Sequence, residues 1–149
     1  MRYVVAEEHD LEAMYNLGKD MHEESEFAGL DWDPEKVRSW IHRNIHDTNR
    51  FVLCAYDDNK LCGIFIAGIS TFYFGNSTIS SDYIWYVDKD YRGTRVGIRL
   101  LKRYVEWAKS REVDRIQVGV SSGMTVDRTG ELLVRMGFEK IGGIYKVDS

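Results

Sequence analysis

The segment Tyr91-Arg92-Gly93-Thr94-Arg95-Val96-Gly97-Ile98-Arg99-Leu100-Leu101 constrains this chain more than any other. The run Tyr83-Ile84-Trp85-Tyr86-Val87 before it has the β-branched and aromatic content of a strand, and Ile98 to Lys109 after it reads as a helix. A strand that passes through a glycine-bearing turn into a helix gathers several main-chain N–H groups at the helix N-terminus, where the helix dipole favours an anion. The segment therefore points to a phosphate-bearing ligand.

The elements around it predict a mixed α/β layer with a mainly antiparallel first half. Arg2 to Ala6 reads as a strand, and a helix beginning at His9 or Asp10 carries Leu11, Met14, Tyr15, Leu17 and Met21 on one face. Asp33-Pro34-Glu35 is a helix start, an N-cap aspartate followed by the only proline at the first helical position, and Val37, Trp40, Ile41 and Ile45 form the buried face of that helix. Phe51 to Tyr56 and Leu61 to Thr71 flank the turn Asp57-Asp58-Asn59-Lys60 as a hairpin, and Ile79 to Val87 is the next strand. Arg115 to Val120 reads as a further strand, joined to Ile79–Val87 by a right-handed parallel crossover. Thr125 to Met136 is a helix with Gly137 at its C′ position, and Phe138 to Ile141 and Ile144 to Val147 read as short closing strands. No repeat, low-complexity stretch or linker interrupts the 149 residues, which predicts one domain, 1–149.

Composition narrows the partners. A net charge of -4 argues against nucleic acid, which needs a dominant basic surface, and fits a cationic substrate better. The longest apolar run, near Ile64 to Ile69, is far shorter than a membrane span, and Met1 to Val5 followed by acidic residues reads as neither a secretory nor a mitochondrial leader, so a cytoplasmic, membrane-free protein is expected. Cys54 and Cys62 read as reduced thiols in sheet packing.

Taken together, the element order and the turn resemble the Gcn5-related N-acetyltransferase (GNAT) superfamily. Its acetyl-coenzyme A motif, Arg/Gln-x-x-Gly-x-Gly/Ala after the fourth strand, is matched by Arg92-Gly93-Thr94-Arg95-Val96-Gly97, and its late helix ending in Gly-Phe is matched by Glu131 to Phe138. Within the superfamily the pattern is similar to small acetyltransferases of tailed phages and bacteria. The resemblance implies a central mixed, mainly antiparallel sheet of six to seven strands flanked by four helices, with acetyl-coenzyme A as cosubstrate and no metal. It implies that Arg92, Gly93, Thr94, Arg95, Val96, Gly97 and Ile98 bind the pyrophosphate, and that Trp85, Tyr86 and Val87 give main-chain hydrogen bonds to the pantetheine arm. A backbone N–H in that stretch, assigned to Tyr86, would polarise the thioester carbonyl and hold the oxyanion of the tetrahedral intermediate. Homodimers are common in the superfamily and are a further expectation.

Some positions depart from the family pattern. The middle glycine of the motif is Arg95, which is read either as a solvated residue at the helix start or as a guanidinium on a phosphate. The usual general-acid tyrosine, five residues before the Gly-Phe phenylalanine, is Leu133, which leaves Tyr145, Ser121, a water or an unassisted thiolate. An asparagine on the adenine side is replaced by Val126. Relatives often place the general base on the fourth strand, where Asp82 is the nearest carboxylate, with Ser81 on the opposite face unless a bulge intervenes; Glu24 or Glu26 are alternatives.

The acceptor, a small-molecule or protein amine, is expected between the first two helices. Glu23, Glu24 and Glu26 beside Phe27 and Trp32 suit a cationic amine with an apolar stem, although a solvated loop with aromatic anchors explains the same residues. His42 and His46 share one helix face, but a metal site needs a third ligand and the pair reads as surface. The leading expectation is an N-acetyltransferase acting through a ternary complex; the alternative is a catalytically silent GNAT-fold protein that binds the coenzyme or a protein partner.

Overall fold

The computed structural model describes all residues from Met1 to Ser149. Five strands, β1 (Arg2–Val5), β2 (Arg50–Asp57), β3 (Lys60–Thr71), β4 (Thr78–Val87) and β5 (Arg115–Ile116), form one sheet in sequence order. β1 to β4 are antiparallel and β5 is parallel to β4, the alignment expected of two strands joined by a crossover through α3. Four helices flank the sheet: α1 (Leu11–Glu24), α2 (Pro34–His46), α3 (Val96–Ser110) and α4 (Val126–Arg135). No helix is long and apolar enough to cross a membrane.

Strand alternation builds two cores from one sheet. Val52, Cys54, Ile64 and Ile66 pack with Met14, Leu17 and Ile41 on the α1/α2 side. Phe51, Leu53, Phe65 and Ala67 pack with Leu100, Leu101, Tyr104 and Leu133 on the α3/α4 side. With helices on both faces, β2 and β3 are buried along nearly their whole length, which explains why they read as continuous apolar runs.

Local signals set the helix ends. Asp33 Oδ1 accepts from the N–H groups of Glu35 (3.1 Å) and Lys36 (3.2 Å), and Pro34 begins α2. At the end of α4, Gly137 adopts φ +96°, its N–H reaches the Val134 carbonyl at 3.0 Å, and the Phe138 N–H reaches that of Leu133 at 2.9 Å. This is the paired 5→2 and 6→1 closure that needs a left-handed residue at C′.

The sheet is smaller than expected, with five strands in place of six to seven. The parallel ladder holds only Ile79 with Arg115 and Ser80 with Ile116. Val118 and Val120 leave β4 and pack partly against the α3-side core. The expected closing strands, Phe138 to Ile141 and Ile144 to Val147, run without ladder pairing, and Ile141, Ile144, Tyr145 and Val147 are exposed. A strand pattern names a segment able to pair, but a ladder also needs an edge at the right distance, and β5 is too short to supply one.

Candidate functional site

The turn between β4 and α3 takes the shape its glycines allow. Gly93 adopts φ +83°, in the left-handed region. Gly97 is less constrained: a Cβ there would lie 3.5 Å from Val87 Cγ2 and 3.9 Å from Trp85 Nε1, both ordinary contacts. The Trp85 indole donates to the Gly97 carbonyl at 3.2 Å and pins the first turn of α3 to the strand. The first backbone bond inside α3 runs from the Arg99 N–H to the Arg95 carbonyl (3.0 Å); the Val96 N–H donates to Thr94 Oγ1 at 3.4 Å, and the N–H groups of Gly97 and Ile98 precede the first helical bond and have no intrahelical acceptor. Arg95 is the N-cap residue at φ −86° and ψ 0°, an ordinary conformation, so its replacement of a glycine introduces no backbone strain. Its side chain is exposed.

A register shift between Ile66 and Ala67 leaves Tyr83 as an extra residue in β4, since Ile66 faces Ile84 while Ala67 faces Asp82. This bulge exchanges the two faces of the strand. Before it, Ser80 and Asp82 share the α3 face; beyond it, Ile84 and Tyr86 face α1 and α2. It also sets which main-chain groups are free. Asp88 donates its N–H to the Cys62 carbonyl at 2.9 Å, and Gly63 faces Val87. Antiparallel alternation therefore turns the Tyr86 main chain toward β3, and those of Trp85 and Val87 toward the open side. The Val87 carbonyl accepts there from Arg92 Nε at 3.2 Å. The N–H expected to act at Tyr86 is thus used in the ladder, and the free main-chain donors at this edge are Trp85 and Val87.

β4 and β5 part directly after Ser80. The Gln117 N–H reaches the Ser80 carbonyl at 2.8 Å, and the buried Tyr104 hydroxyl of α3 donates to the Gln117 carbonyl at 2.8 Å while lying 3.0 Å from Ser80 Oγ. Beyond that point side chains bridge the gap: Gln117 Nε2 donates to Ser81 Oγ at 3.3 Å, and Asp82 Oδ1 accepts from the Gly119 N–H at 2.7 Å. Burial raises the Asp82 pKa above the ordinary aspartate value, and the Gly119 N–H only partly opposes it.

The first arginine of the turn is committed to a partner that the sequence pattern does not reveal. Arg92 makes a two-pronged ion pair with Glu24 at the end of α1, with Nη1 to Oε2 at 3.2 Å and Nη2 on Oε1. Oε1 also accepts from the Tyr86 hydroxyl, and the guanidinium lies 5.5 Å from the Tyr86 ring centre. The Arg92 hydrogen bonds hold the Glu24 pKa below the usual carboxylate range, with a smaller contribution from Tyr86, against the effect of burial. Burial and the Glu24 carboxylate push the Tyr86 hydroxyl up.

On the α1/α2 side of the sheet lies a cleft of about 430 Å³ walled by Met14, Met21, Trp32, Trp40, Ile64 and Ile84, with two acids, Asp31 and Asp33, and two bases, Lys36 and Arg43, also lining it. Trp32 is held by its Nε1–H on the Tyr15 hydroxyl at 3.1 Å and by ring contacts with Tyr15 and His22. Of the expected acceptor residues only Trp32 lines this cleft. Glu23 and Phe27 are exposed elsewhere. Glu26 is turned away, with its N–H on the Ser122 carbonyl at 2.7 Å and its carboxylate on Lys146 at 3.0 Å. Glu24 sits with Arg92 and Tyr86. Met14, Met21 and Trp40 were not legible as cleft residues because helical spacing marks them equally as core.

Leu133, at the usual general-acid position, is a buried member of the α3-side core together with Phe138. Tyr145 and Ser121 are exposed. Cys54 and Cys62 are buried free thiols, and burial pushes the Cys54 thiol far up, which removes it as a nucleophile.

Residues 11–138 match the model of the Acetyltransferase (GNAT) family. No curated protein matches the sequence. Among solved structures, the chain is similar to aminoglycoside antibiotic 6'-N-acetyltransferase AAC(6')-IG from Acinetobacter haemolyticus, with a TM-score of 0.77 at 16% identity over 100% of this chain and 98% of that one. It is similar to AAC(6')-Iy in complex with a bisubstrate analogue, CoA-S-monomethyl-acetylneamine, with a TM-score of 0.78 at 14% identity over 99% and 97%. It is also similar to a ribosomal-protein-alanine N-acetyltransferase from Brucella melitensis biovar Abortus 2308, with a TM-score of 0.72 at 14% identity over the whole of both chains. At these identities the likeness is one of fold.

Proposed function

This chain belongs to the Acetyltransferase (GNAT) family, and from that membership we propose that it transfers the acetyl group of acetyl-coenzyme A directly to a primary amine in a ternary complex. The observation that carries the reading is the bulge in β4. It places the Ile84 side chain in the wall of the Trp32–Trp40 cleft and the main chain of the adjacent Trp85 at the parting of β4 and β5. An acceptor in the cleft and a pantetheine arm added along Trp85 and Val87 would then meet across one strand.

In this proposal the coenzyme's pyrophosphate lies on the N–H groups at the start of α3, with Arg92 and Gly93 beside it. A main-chain N–H at the β4 edge polarises the thioester carbonyl. The amine nitrogen attacks that carbon, the C–N bond forms, the tetrahedral intermediate collapses, the C–S bond breaks, and coenzyme A leaves as the thiolate. The proton lost by the amine goes to a carboxylate. Asp82 stands at the parting of β4 and β5 with a pKa raised by burial, and from the α3 face it takes the proton through a water; Arg92 and Tyr86 lower the pKa of Glu24, the other carboxylate near β4, which makes it the weaker base. The buried Leu133 supplies no acid, so the thiolate takes its proton from water. The acceptor class is an amine with an apolar or aromatic stem: the rings and Ile side chains take the stem and carry the recognition, since Asp31 and Asp33 are balanced by Lys36 and Arg43 in the same lining.

Calorimetric titration with acetyl-coenzyme A, followed by a thiol-release assay over a panel of aralkyl and alkyl amines, tests this. Binding with turnover on an apolar-stemmed amine is the expected result. Absence of binding at millimolar coenzyme overturns it. The buried Leu133 also motivates a second reading, a silent member of the family, which predicts coenzyme binding without thiol release on any amine.

A further inference from the structure

We propose that Glu8, His42 and His46 form a surface site for a divalent transition-metal ion, zinc or copper by its chemistry. His42 and His46 lie one helical turn apart on the exposed face of α2, with ring centres 4.6 Å apart. Read alone they lack a third ligand; the fold supplies it from the short 3₁₀ turn before α1. Glu8 Oε1 is 2.9 Å from His42 Nδ1, and Glu8 Oε2 is 2.7 Å from His46 Nε2. One ligand atom from each of the three residues falls within 4.8 Å of the others, and no ion is present.

The spacing suits an ion. A tetrahedral zinc with bonds of about 2.0–2.1 Å spaces its ligand atoms about 3.3–3.4 Å apart, so the side chains need open only slightly. Two imidazole nitrogens with one carboxylate oxygen are donors that zinc and copper(II) accept, copper more tightly by the general order of divalent affinities. An entering ion takes the place of these nitrogen–carboxylate hydrogen bonds, each neutral imidazole turning a ring-nitrogen lone pair toward it. All three side chains are about half exposed, at 53% to 55%, which leaves an approach path and room for a water ligand.

The carboxylate is presented by a rigid turn. Asp10, in the same turn and only 3% exposed, accepts the Glu7 N–H on Oδ2 at 2.8 Å and the Tyr56 hydroxyl on Oδ1 at 2.5 Å. One helical turn before His42, Arg38 grips Glu12 of α1 with Nε and Nη2 at 2.9 to 3.2 Å. Glu12–Arg38, Glu8–His42 and Glu8–His46 thus hold α1 against α2 along one line. The site is separate from the acetyl-transfer region, since α1 spans 14 residues, about 21 Å, between it and Glu24. A bound ion clamps together the two helices that wall the Trp32–Trp40 cleft.

Zinc titration of the full chain by calorimetry at pH 7.5 tests the site. The expected result is one ion per chain with micromolar affinity and a melting temperature that rises with zinc concentration. Glu8→Gln, His42→Gln and His46→Gln, each at an exposed position, should weaken binding by more than about 10-fold, while His9→Gln on the same turn leaves it unchanged. With copper(II), electron paramagnetic resonance should show coupling to two imidazole nitrogens, and to one in His46→Gln. No binding at 100-fold excess zinc over protein, or affinity that persists in all three ligand variants, overturns the proposal.

Discussion

Arg92, in the turn between β4 and α3, is held by Glu24, a residue 68 positions earlier at the end of α1, through both prongs of its guanidinium. The pair joins the expected donor site to the helix that walls the acceptor cleft. Its side chains are each about 30% exposed, so the net contribution to stability is on the order of 1 kcal/mol, and its larger consequence is for binding.

A coenzyme pyrophosphate and Glu24 would draw on the same guanidinium. Glu24→Gln releases Arg92 and should tighten acetyl-coenzyme A binding by about 3- to 10-fold, whereas Arg92→Ala removes a charge-assisted contact and should weaken it by about 10-fold or more. Calorimetry on the two variants measures both. Equal affinities in Glu24→Gln and wild type would show that Arg92 is not shared.

Glu24 also marks the pH dependence of folding. Its folded-state pKa lies below the ordinary 4.5, so its contribution to stability is complete above that value and is lost as pH falls through the depressed one. The difference in unfolding free energy between wild type and Glu24→Gln should be constant from about pH 6 upward and shrink in acid below 4.5. Urea titrations of both proteins across pH give the curve; a gap that widens in acid contradicts the assignment.

Asp82→Asn retains an oxygen able to accept the Gly119 N–H, so the strand junction should survive. Loss of the base should lower kcat/KM by about 10²- to 10⁴-fold with coenzyme affinity unchanged. In the wild type, activity should rise with pH through an Asp82 ionisation displaced above 3.8, and that limb should vanish in the variant.

The two glycines of the turn should respond differently to alanine. Gly93, at φ +83°, should cost about 1–2 kcal/mol when a Cβ is added in the left-handed region. Gly97 has its nearest neighbour at 3.5 Å, an ordinary contact, and Gly97→Ala should change stability by less than about 0.5 kcal/mol. Chemical denaturation of both variants distinguishes them.

Leu133→Ala empties part of the α3-side core beneath Phe138 and should destabilise the protein by about 2–5 kcal/mol. Thiol release per folded molecule should stay near the wild-type rate, because this side chain packs and does not transfer protons.

Features that depend on neighbours in the chain were legible from the residues themselves. Asp33-Pro34 announced α2, Gly137 closed α4, the Asp57 to Lys60 turn joined β2 to β3, and Gly93 with Gly97 marked the turn into α3, because caps and turns are decided by steric and hydrogen-bonding choices a few residues wide. The acetyltransferase family was legible for the same reason: its turn and its Gly-Phe ending are local. Tertiary structure alone decided the rest. The Tyr83 bulge is a register shift between two strands, and no pattern in β4 reveals that it directs the main chains of Trp85 and Val87 outward while committing Tyr86 to the ladder. The Arg92–Glu24 pair and the convergence of Glu8 on His42 and His46 depend on how α1 lies against α2 and β4. The Phe138 to Val147 segment has strand character but finds no edge to pair with. Sequence determines which groups are able to pair; which of them meet is settled by the packing of surfaces that are distant along the chain.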